Sequence, residues 1–206
     1  AFIDQDHSYG GQPLPVDPLT TLRQMAQQVA ATGIKGVSGQ VIVDASLFRE
    51  AGRELGTRIA LSPLVVNDNV IDIVVVPGRR AGEPVAVTVS PKTSLLTVQA
   101  YLTTSDSGTP PALRMVEDSS NKDRRFLVAT GTVPVGPATN SRWAVPQPSR
   151  FGEITFAEVL NDAGVAAIPR LASRPVDAAA LAARYADSLL VAEHVSLPLN
   201  KEAVVL

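Results

Sequence analysis

One serine and one lysine in this 206-residue sequence have the spacing of a serine acyl-transfer site, Ser119 and Lys122. In such a site Ser-x-x-Lys lies on a helix, because one helical turn places the lysine amine beside the serine hydroxyl whose proton it takes. Here the pair lies in the polar stretch DSSNKDR, which has neither an apolar face nor a helical period. We therefore expect a solvated turn, and the sequence predicts no catalytic residue.

A second short motif has the residue types of the Lys-Thr-Gly strand found in the same class of serine acyl-transfer enzymes. It is Lys92-Thr93-Ser94, which follows Pro91 where a predicted strand ends. A proline at that place favours a turn over a continuing strand. We expect these three residues to lie in a turn.

Neither a metal site nor a cofactor site is predicted. Residues 67–69 (Asn-Asp-Asn) with Asp72 have some of the ligand types of a calcium loop but not its central glycine or its closing glutamate. The histidines, His7 and His194, are far apart and neither has a ligand partner at helical or turn spacing. No Gly-x-Gly-x-x-Gly or Walker-type loop follows a predicted strand, so we expect no bound nucleotide.

The composition is that of a folded protein with an aliphatic core. Hydrophobic residues make up 45% of the chain and charged residues 18%, whereas aromatic residues account for 4%. The formal net charge is −2, and the basic residues form no stripe, so we expect no nucleic-acid partner. No apolar run approaches the ~20 residues that span a bilayer, and no cysteine is present.

The opening segment predicts a helix and then a strand. Asp17 can cap a helix that has Pro18 at its first position and ends at Gly33. The apolar positions of this helix recur at helical spacing: Leu19, Leu22, Met25, Ala26, Val29 and Ala30. Residues 41–43 are predicted as a short buried strand that Asp44 closes.

The middle of the chain predicts an all-β module of two small packed sheets. A strand from Leu64 is interrupted by residues 67–69, whose types suit the tight corner of a hairpin, and it resumes through Val76. More strands follow at close spacing, separated by polar turns: 84–89, 95–103, 112–117, 124–133 and 142–145.

The last part of the chain returns to the helix-and-strand pattern of the first. A helical face over residues 151–163 closes at Gly164, residues 165–168 form a short strand, and Asp177 can cap a third helix through Leu189. The sequence thus predicts an α/β layered domain into which a small β domain is inserted. The predicted boundaries are 1–82 and 147–206 for the two parts of the α/β domain and 83–146 for the β domain.

Four stretches together resemble the class C low-molecular-mass penicillin-binding proteins, a family of D-alanyl-D-alanine carboxypeptidases that also act as endopeptidases. They are TGIKGVSGQVIVDASLF (32–48), LVVNDNVIDIVVVPG (64–78), FGEITFAEVLNDAGV (151–165) and AEHVSLPLNK (192–201). The family's Ser-x-x-Lys lies upstream of an inserted α/β domain that itself carries a β domain, and its Ser-x-Asn and Lys-Thr-Gly elements lie downstream. The resemblance implies that this chain holds the inserted domains without the active site.

The resemblance implies that this chain is an accessory, non-catalytic region of a serine-type enzyme. That enzyme would trim bacterial peptidoglycan in the periplasm or elsewhere outside the cytoplasm. The partners of this region would be its own catalytic domain, and peptidoglycan or cell-wall proteins. The sequence differs from the family in one segment. In the family this segment ends in Tyr-x-Ala-Pro and helps to recognise the stem peptide. This sequence reads Thr57-Arg58-Ile59-Ala60, so Thr57 stands at the tyrosine position.

Two alternatives to an accessory region stay open at this point. The first is a free-standing extracytoplasmic binding or scaffolding module without enzymatic activity. The second is a small-molecule enzyme of Rossmann-like type, which would require a phosphate loop that the sequence does not show.

Overall fold

The computed structural model describes residues 2–3, 17–50, 52–53, 59–118, 125–169, 183 and 185–195. The chain folds into two compact units. Unit 1 comprises Ala1–Val70 and Ala144–Leu206, and unit 2 comprises Ile71–Trp143. None of the helices in the described part is long and apolar enough to cross a membrane.

Unit 1 contains the first helix, α1 (Thr20–Ala31), which begins two residues later than predicted. Asp17 still organises its start, because its Oδ1 accepts a hydrogen bond from the Leu19 amide at 3.0 Å. The helix ends just before Gly33, whose φ of +87° is the left-handed conformation that glycine adopts most easily. The predicted glycine stop is therefore confirmed.

The second helix, α2 (Pro148–Asp162), packs against α1 and buries most of its length. Pro148 stands in its first turn, where the missing amide hydrogen costs nothing, and Gly164 follows its end with a φ of +82°. The core between the helices is aliphatic apart from one aromatic ring, as the composition predicts. Its buried members include Leu22, Ala26, Val29, Phe151, Ile154, Val159 and Leu160.

The structure does not contain two of the strands that the sequence predicts in unit 1, so those two predictions are wrong. Residues 41–43 form no strand: Ile42 is 40% exposed, and the Val43 amide donates to a carboxylate of Glu153 instead of to a neighbouring strand. Residues 165–168 contribute a single parallel bridge between Ala166 and Gly36. Neither apolar run extends a sheet. Whether such a run pairs as a strand depends on its tertiary contacts, which the local sequence pattern does not reveal.

The turn at Asn67–Asn69 is not the corner of a hairpin. Its residues have φ values of 48°, 50° and 55°, so the left-handed backbone predicted for these types is present. However, the strand before it, β2 (Val65–Val66), pairs in parallel with β1 (Phe2–Ile3), and the strand after it, β3 (Val70–Val76), pairs elsewhere. A side chain of the turn, instead of a cross-strand backbone hydrogen bond, fixes the backbone here, since Asn69 Oδ1 accepts a hydrogen bond from the Val66 amide at 3.2 Å.

Unit 2 consists of two three-stranded sheets, as the spacing of its strands predicts. In the first sheet β3 lies between β4 (Ala86–Ser90) and β8 (Thr139–Ala144). In the second sheet β7 (Arg125–Pro134) lies between β5 (Leu96–Ser105) and β6 (Arg114–Asp118), parallel to β5 and antiparallel to β6. The protein is thus a mixed α/β structure with two small three-stranded sheets and the two-stranded pair of β1 and β2.

A polar contact joins the two sheets of unit 2. The indole Nε1 of Trp143, on β8, donates to Glu117 Oε2, on β6, at 3.1 Å. The other oxygen of Glu117 pairs with Arg125 Nη1 of β7 at 2.9 Å. Because Trp143 is almost fully buried, its N–H needs an acceptor, and Glu117 provides one while Arg125 balances the charge.

The predicted third helix lies largely outside the described residues, which exclude Asp177, Leu181 and Ala182. Its described end is a single 3₁₀ turn, Tyr185–Asp187. Leu189 follows in non-helical backbone and is 84% exposed, so the helix does not continue that far.

Candidate functional site

The two serine-enzyme motifs have different outcomes. Ser119 and Lys122 lie outside the described residues, so the predicted solvated turn stays a prediction. Lys92-Thr93-Ser94 lies in the loop between β4 and β5, as expected, with the Lys92 side chain exposed. The Thr93 hydroxyl accepts a hydrogen bond from the Leu95 amide at 3.2 Å, so it stabilises its own turn.

The residues considered as metal ligands are dispersed. Of the two histidines, His7 lies outside the described residues and His194 is exposed near the end of the described chain. Thr57, which is not a candidate ligand, also lies outside the described residues. Asp72 is buried within β3, opposite Ser90. Within the described residues no three His, Cys, Asp or Glu side chains form a group that could hold a metal ion.

A cluster that the sequence analysis did not identify joins two serines and a glutamate in unit 1. Glu50 Oε2 accepts from the Ser62 hydroxyl at 2.6 Å and from the Ser149 amide at 3.0 Å. Glu50 Oε1 accepts from the Ser149 hydroxyl at 3.0 Å. A hydroxyl beside a carboxylate is the arrangement of a nucleophile and a general base, so this cluster is the first candidate for chemistry in the described chain.

The geometry of the cluster favours helix capping over catalysis. Acyl transfer requires free N–H groups directed at the developing oxyanion, and the amide at the start of a helix is a common donor. The Ser149 amide is such a donor, yet it is already bound to Glu50. The carboxylate also lies at the N-terminus of α2, where a negative charge is favourable. Glu50 therefore acts as the cap of α2, supplied by a distant segment of the chain.

Ser149 also lacks the lysine that an acyl-transfer serine would need one turn later. The residue three positions on is Gly152, which is buried against Leu64. A β-carbon at that position would overlap the Leu64 side chain. The helix therefore has no space there for a lysine unless Leu64 moves.

A buried ion pair lies in the next part of α2. Arg150 Nη1 contacts Glu153 Oε2 at 2.8 Å, and both side chains are nearly inaccessible, with 11% and 10% of their surface exposed. Glu153 Oε1 accepts from the Val43 amide at 3.2 Å. The pair thus neutralises a buried acid that fixes the 41–43 segment, which is a structural role.

Two side-chain contacts hold the last described segment to the rest of unit 1. Gln28 of α1 donates from Nε2 to the Glu193 carbonyl at 3.1 Å and accepts from the Glu193 amide at 2.9 Å. The Tyr185 hydroxyl donates to Asp44. Hydrogen bonds from Ser46 and Tyr185 lower the pKa of Asp44, and the Asp44 carboxylate in turn raises the pKa of Tyr185.

Solved structures similar to this chain are penicillin-binding proteins. Penicillin binding protein 4 (dacB) from Haemophilus influenzae matches with a TM-score of 0.50 and 16% identity, over 74% of this chain and 35% of that protein. The same protein complexed with a novel beta-lactam matches with a TM-score of 0.44 and 16% identity, over 71% of this chain and 31% of that protein. The chain thus spans about a third of the length of the solved protein, and at this identity the likeness concerns the fold.

The sequence comparison gives the family. No curated protein matches the chain. In contrast, the sequence model of the D-Ala-D-Ala carboxypeptidase 3 (S13) family matches residues 6–203, nearly the whole chain. This match agrees with the resemblance carried by the four sequence stretches and with the similarity of the fold to penicillin binding protein 4. The chain therefore belongs to the D-Ala-D-Ala carboxypeptidase 3 (S13) family of low-molecular-mass penicillin-binding proteins.

Proposed function

We propose that this chain is the accessory, non-catalytic region of a serine-type D-alanyl-D-alanine carboxypeptidase and endopeptidase that trims peptidoglycan. The observation that carries the proposal is the use made of Ser149, the serine at the start of α2. Its hydroxyl and its amide are both bound to Glu50, and Gly152 stands where the lysine would be. An acyl-transfer serine needs a lysine one helical turn later and an amide that is free to bind the developing oxyanion.

Lysine usage supports the same proposal. Neither α1 nor α2 contains a lysine, so neither described helix can present Ser-x-x-Lys. The chain also spans only 35% of the solved penicillin binding protein 4, although the family match extends over residues 6–203. A chain that is family-like throughout but covers a third of a relative is what one part of a longer enzyme would look like.

The proposed arrangement places unit 2 as a β domain inserted into the α/β domain of unit 1. Ile71–Trp143 lies between the two stretches of chain that make unit 1, which supports this topology. In the parent enzyme these domains would restrict which cell-wall geometries reach the reactive serine. Their role would be positional, and the parent would act in the periplasm or elsewhere outside the cytoplasm.

The proposed partner of unit 1 is the catalytic domain of the same enzyme. Several large apolar side chains of unit 1 are between 40% and 84% exposed. They are Ile42, Leu47, Phe48, Leu61, Ile168, Tyr185, Leu189, Leu190 and Val195. A catalytic domain packed on such a surface would remove them from water.

A D-alanine release assay tests the non-catalytic role. The purified chain is incubated with a peptide that ends in D-alanyl-D-alanine, and free D-alanine is measured against an active carboxypeptidase as positive control. We expect no release above the buffer background. Release that disappears in the Ser119→Ala or Ser149→Ala variant would overturn the proposal and identify the nucleophile.

The reading frame around the coding sequence distinguishes this proposal from a free-standing binding or scaffolding module. An accessory region predicts Ser-x-x-Lys encoded upstream, and Ser-x-Asn followed by Lys-Thr-Gly encoded downstream. A stop codon directly after Leu206, together with a signal peptide directly before Ala1, would instead support the free-standing module.

A further inference from the structure

Strand β6 of unit 2 lies at one edge of its sheet. It pairs with β7 on one side, and among the described residues no strand and no isolated bridge pairs with its other side. Of the four strands at the edges of the two three-stranded sheets, β6 alone carries charges of both signs. An edge strand presents a row of backbone N–H and C=O groups with which another strand can pair. The open edge of β6 is therefore an interaction surface, and its charges restrict which strand can pair there.

The backbone bonds to β7 determine which residues of β6 face the open edge. Just before the strand begins, the Ala112 amide donates to the Thr132 carbonyl at 2.9 Å, and the Ala112 carbonyl oxygen lies beside Gly131. In an antiparallel ladder, successive residues of a strand direct their backbone groups alternately to its two sides. The even-numbered residues of β6 therefore bond toward β7, whereas Met115 and Glu117 direct their N–H and C=O groups to the open edge.

A second copy of β6 fits this edge in one antiparallel register. Two strands related by a two-fold axis run antiparallel, and residues 115 and 117 of each must face the other strand for the backbones to bond. With Val116 at the axis, Met115 lies opposite Glu117 of the second copy, and Arg114 lies opposite Asp118 of the second copy. The symmetry produces this opposite-charge pair twice, and opposite charges directly across a ladder attract each other.

The neighbouring registers lack this match. An axis at Arg114, Glu117 or Asp118 would place two like charges directly opposite each other, which is destabilising. An axis at Met115 would place no charged residue opposite another. The charges of β6 therefore select the register with Val116 at the axis.

The apolar side chains near the axis favour the same register. Val116 is 45% exposed and lies opposite the half-buried Val128 of β7. In the paired strands the two copies of Val116 would contact each other, so an apolar row would run from one Val128 to the other and lose contact with water. Five residues from each strand bury far less than the about 1,200 Å² of a standard specific interface, so we expect a weak dimer.

We propose that the open edge of β6 binds a second copy of this chain, with the two β6 strands antiparallel about Val116 and the two β5-β7-β6 sheets joined into one. The proposal uses residues of unit 2 alone and does not depend on the proposed function. Two parent enzymes would be held together in this way through their β domains.

A disulfide at the axis tests the proposal, because the chain has no cysteine of its own. In the proposed register the two copies of residue 116 form a non-hydrogen-bonded pair with Cα atoms about 4.5 Å apart, a distance that a disulfide can bridge. Val116→Cys should therefore oxidise to a covalent dimer at high protein concentration, as measured by intact mass.

Thr130→Cys is the matched control, because Thr130 is exposed on the same face of the sheet but one strand farther from the axis. Under the same oxidising conditions it should stay largely monomeric. Equal linkage in Val116→Cys and Thr130→Cys, or no linkage in either, would overturn the proposal.

Charge reversal tests the register without a covalent bond. Sedimentation equilibrium of the full chain at up to about 1 mM measures the dissociation constant of the dimer. Arg114→Asp should weaken the dimer about tenfold because both pairs become repulsive, and Asp118→Arg should do the same. The double variant Arg114→Asp/Asp118→Arg exchanges the charges, so its dissociation constant should return close to that of the unchanged chain.

Arg142→Asp is the control for this series, since it makes the same change of charge at an exposed position on β8 of the other sheet. It should leave the dissociation constant unchanged, and every variant should keep the tryptophan emission of folded unit 2. The proposal fails if the unchanged chain stays monomeric at the highest concentration, or if its dimer is insensitive to Arg114→Asp. A double variant that pairs no better than the single variants would show that the strands do not meet in this register.

Discussion

The Ser149 hydroxyl lies 3.0 Å from Glu50 Oε1, although 99 residues separate the two in sequence. The same carboxylate accepts the Ser149 amide, so both polar groups of the serine end on one distant residue. Glu50 also accepts from Ser62 at 2.6 Å. The Glu50 carboxylate thereby joins three segments of unit 1 at the start of α2. It also engages the hydroxyl and the amide of Ser149 in hydrogen bonds, so neither group is free for acyl transfer.

Removing the Glu50 carboxylate should destabilise unit 1. In Glu50→Ala three hydrogen bonds are lost, and the Ser149 amide loses its acceptor at the helix start. We expect the free energy of unfolding to fall by about 2 kcal/mol. Urea denaturation followed by far-ultraviolet circular dichroism measures it, because α1 and α2 both belong to unit 1.

Glu193→Ala is the control for that variant, since it removes an exposed carboxylate from the same unit. Its midpoint should match that of the unchanged chain. Equal midpoints for Glu50→Ala and Glu193→Ala would show that Glu50 does not cap α2.

The contact between the sheets of unit 2 can be read directly, because Trp143 is the single tryptophan of the chain. In Glu117→Ala the indole N–H loses its acceptor and Arg125 loses its counter-ion. We expect the free energy of unfolding to fall by about 1–2 kcal/mol, with a shift of the tryptophan emission in the native state. Asp106→Asn, in an exposed turn of the same unit, should change neither quantity. An unchanged emission in Glu117→Ala would contradict the assigned contact.

Gly131 should not tolerate a side chain. Its φ is +114°, and a β-carbon there would overlap the carbonyl oxygen of Ala112 in the neighbouring strand segment. Gly131→Ala should therefore cost about 3 kcal/mol or more, from backbone strain and the displaced backbone together. Gly136→Ala separates the two causes, because Gly136 also has a positive φ but open space around it. Thermal unfolding should rank Gly131→Ala clearly below Gly136→Ala; an equal loss would remove the clash from the explanation.

The bond between Tyr185 and Asp44 should depend on pH at both extremes. The pKa of Asp44 is lowered from its usual 3.8, so its contribution is present above that value and is lost as the pH falls through the lowered pKa. The pKa of Tyr185 is raised from its usual 10.0, so its contribution is present below 10.0 and is lost as the pH rises through the raised pKa.

A phenolate titration by ultraviolet absorbance measures the second shift. The difference between the unchanged chain and Tyr185→Phe isolates Tyr185, and we expect its ionisation above pH 10.0. Asp44→Asn should return it toward the usual value because the negative charge is gone. Ionisation of Tyr185 at or below 10.0 in the unchanged chain would show that the two side chains are not bonded in solution.

Local pattern predicted the elements that local chemistry controls. The glycine stops at Gly33 and Gly164 follow from the left-handed backbone at a helix end, and the strands of unit 2 follow from alternating apolar runs between polar turns. The left-handed Asn67–Asn69 turn also follows from residue type. These features depend on neighbours within a few residues along the chain.

Features set by distant partners were missed. The hairpin predicted at Asn67–Asn69 failed because β2 pairs with β1 and β3 pairs with β4, a choice that the turn itself does not encode. The Glu50 cluster gave no signal in the sequence, since Glu50 caps a helix that begins about a hundred residues later. A capping acid next to its helix would have been visible as a local motif.

Intact mass spectrometry after incubation with a penicillin tests whether any serine of this chain forms an acyl-enzyme. An acyl-serine enzyme retains the opened β-lactam as a covalent adduct on its nucleophile, whereas a region without that chemistry does not. We expect the mass of the folded 206-residue chain to stay unchanged at penicillin concentrations that fully label an active penicillin-binding protein in a parallel sample. A mass increase of one penicillin, mapped to Ser119, Ser149 or any other serine and absent after heat denaturation, would contradict this expectation.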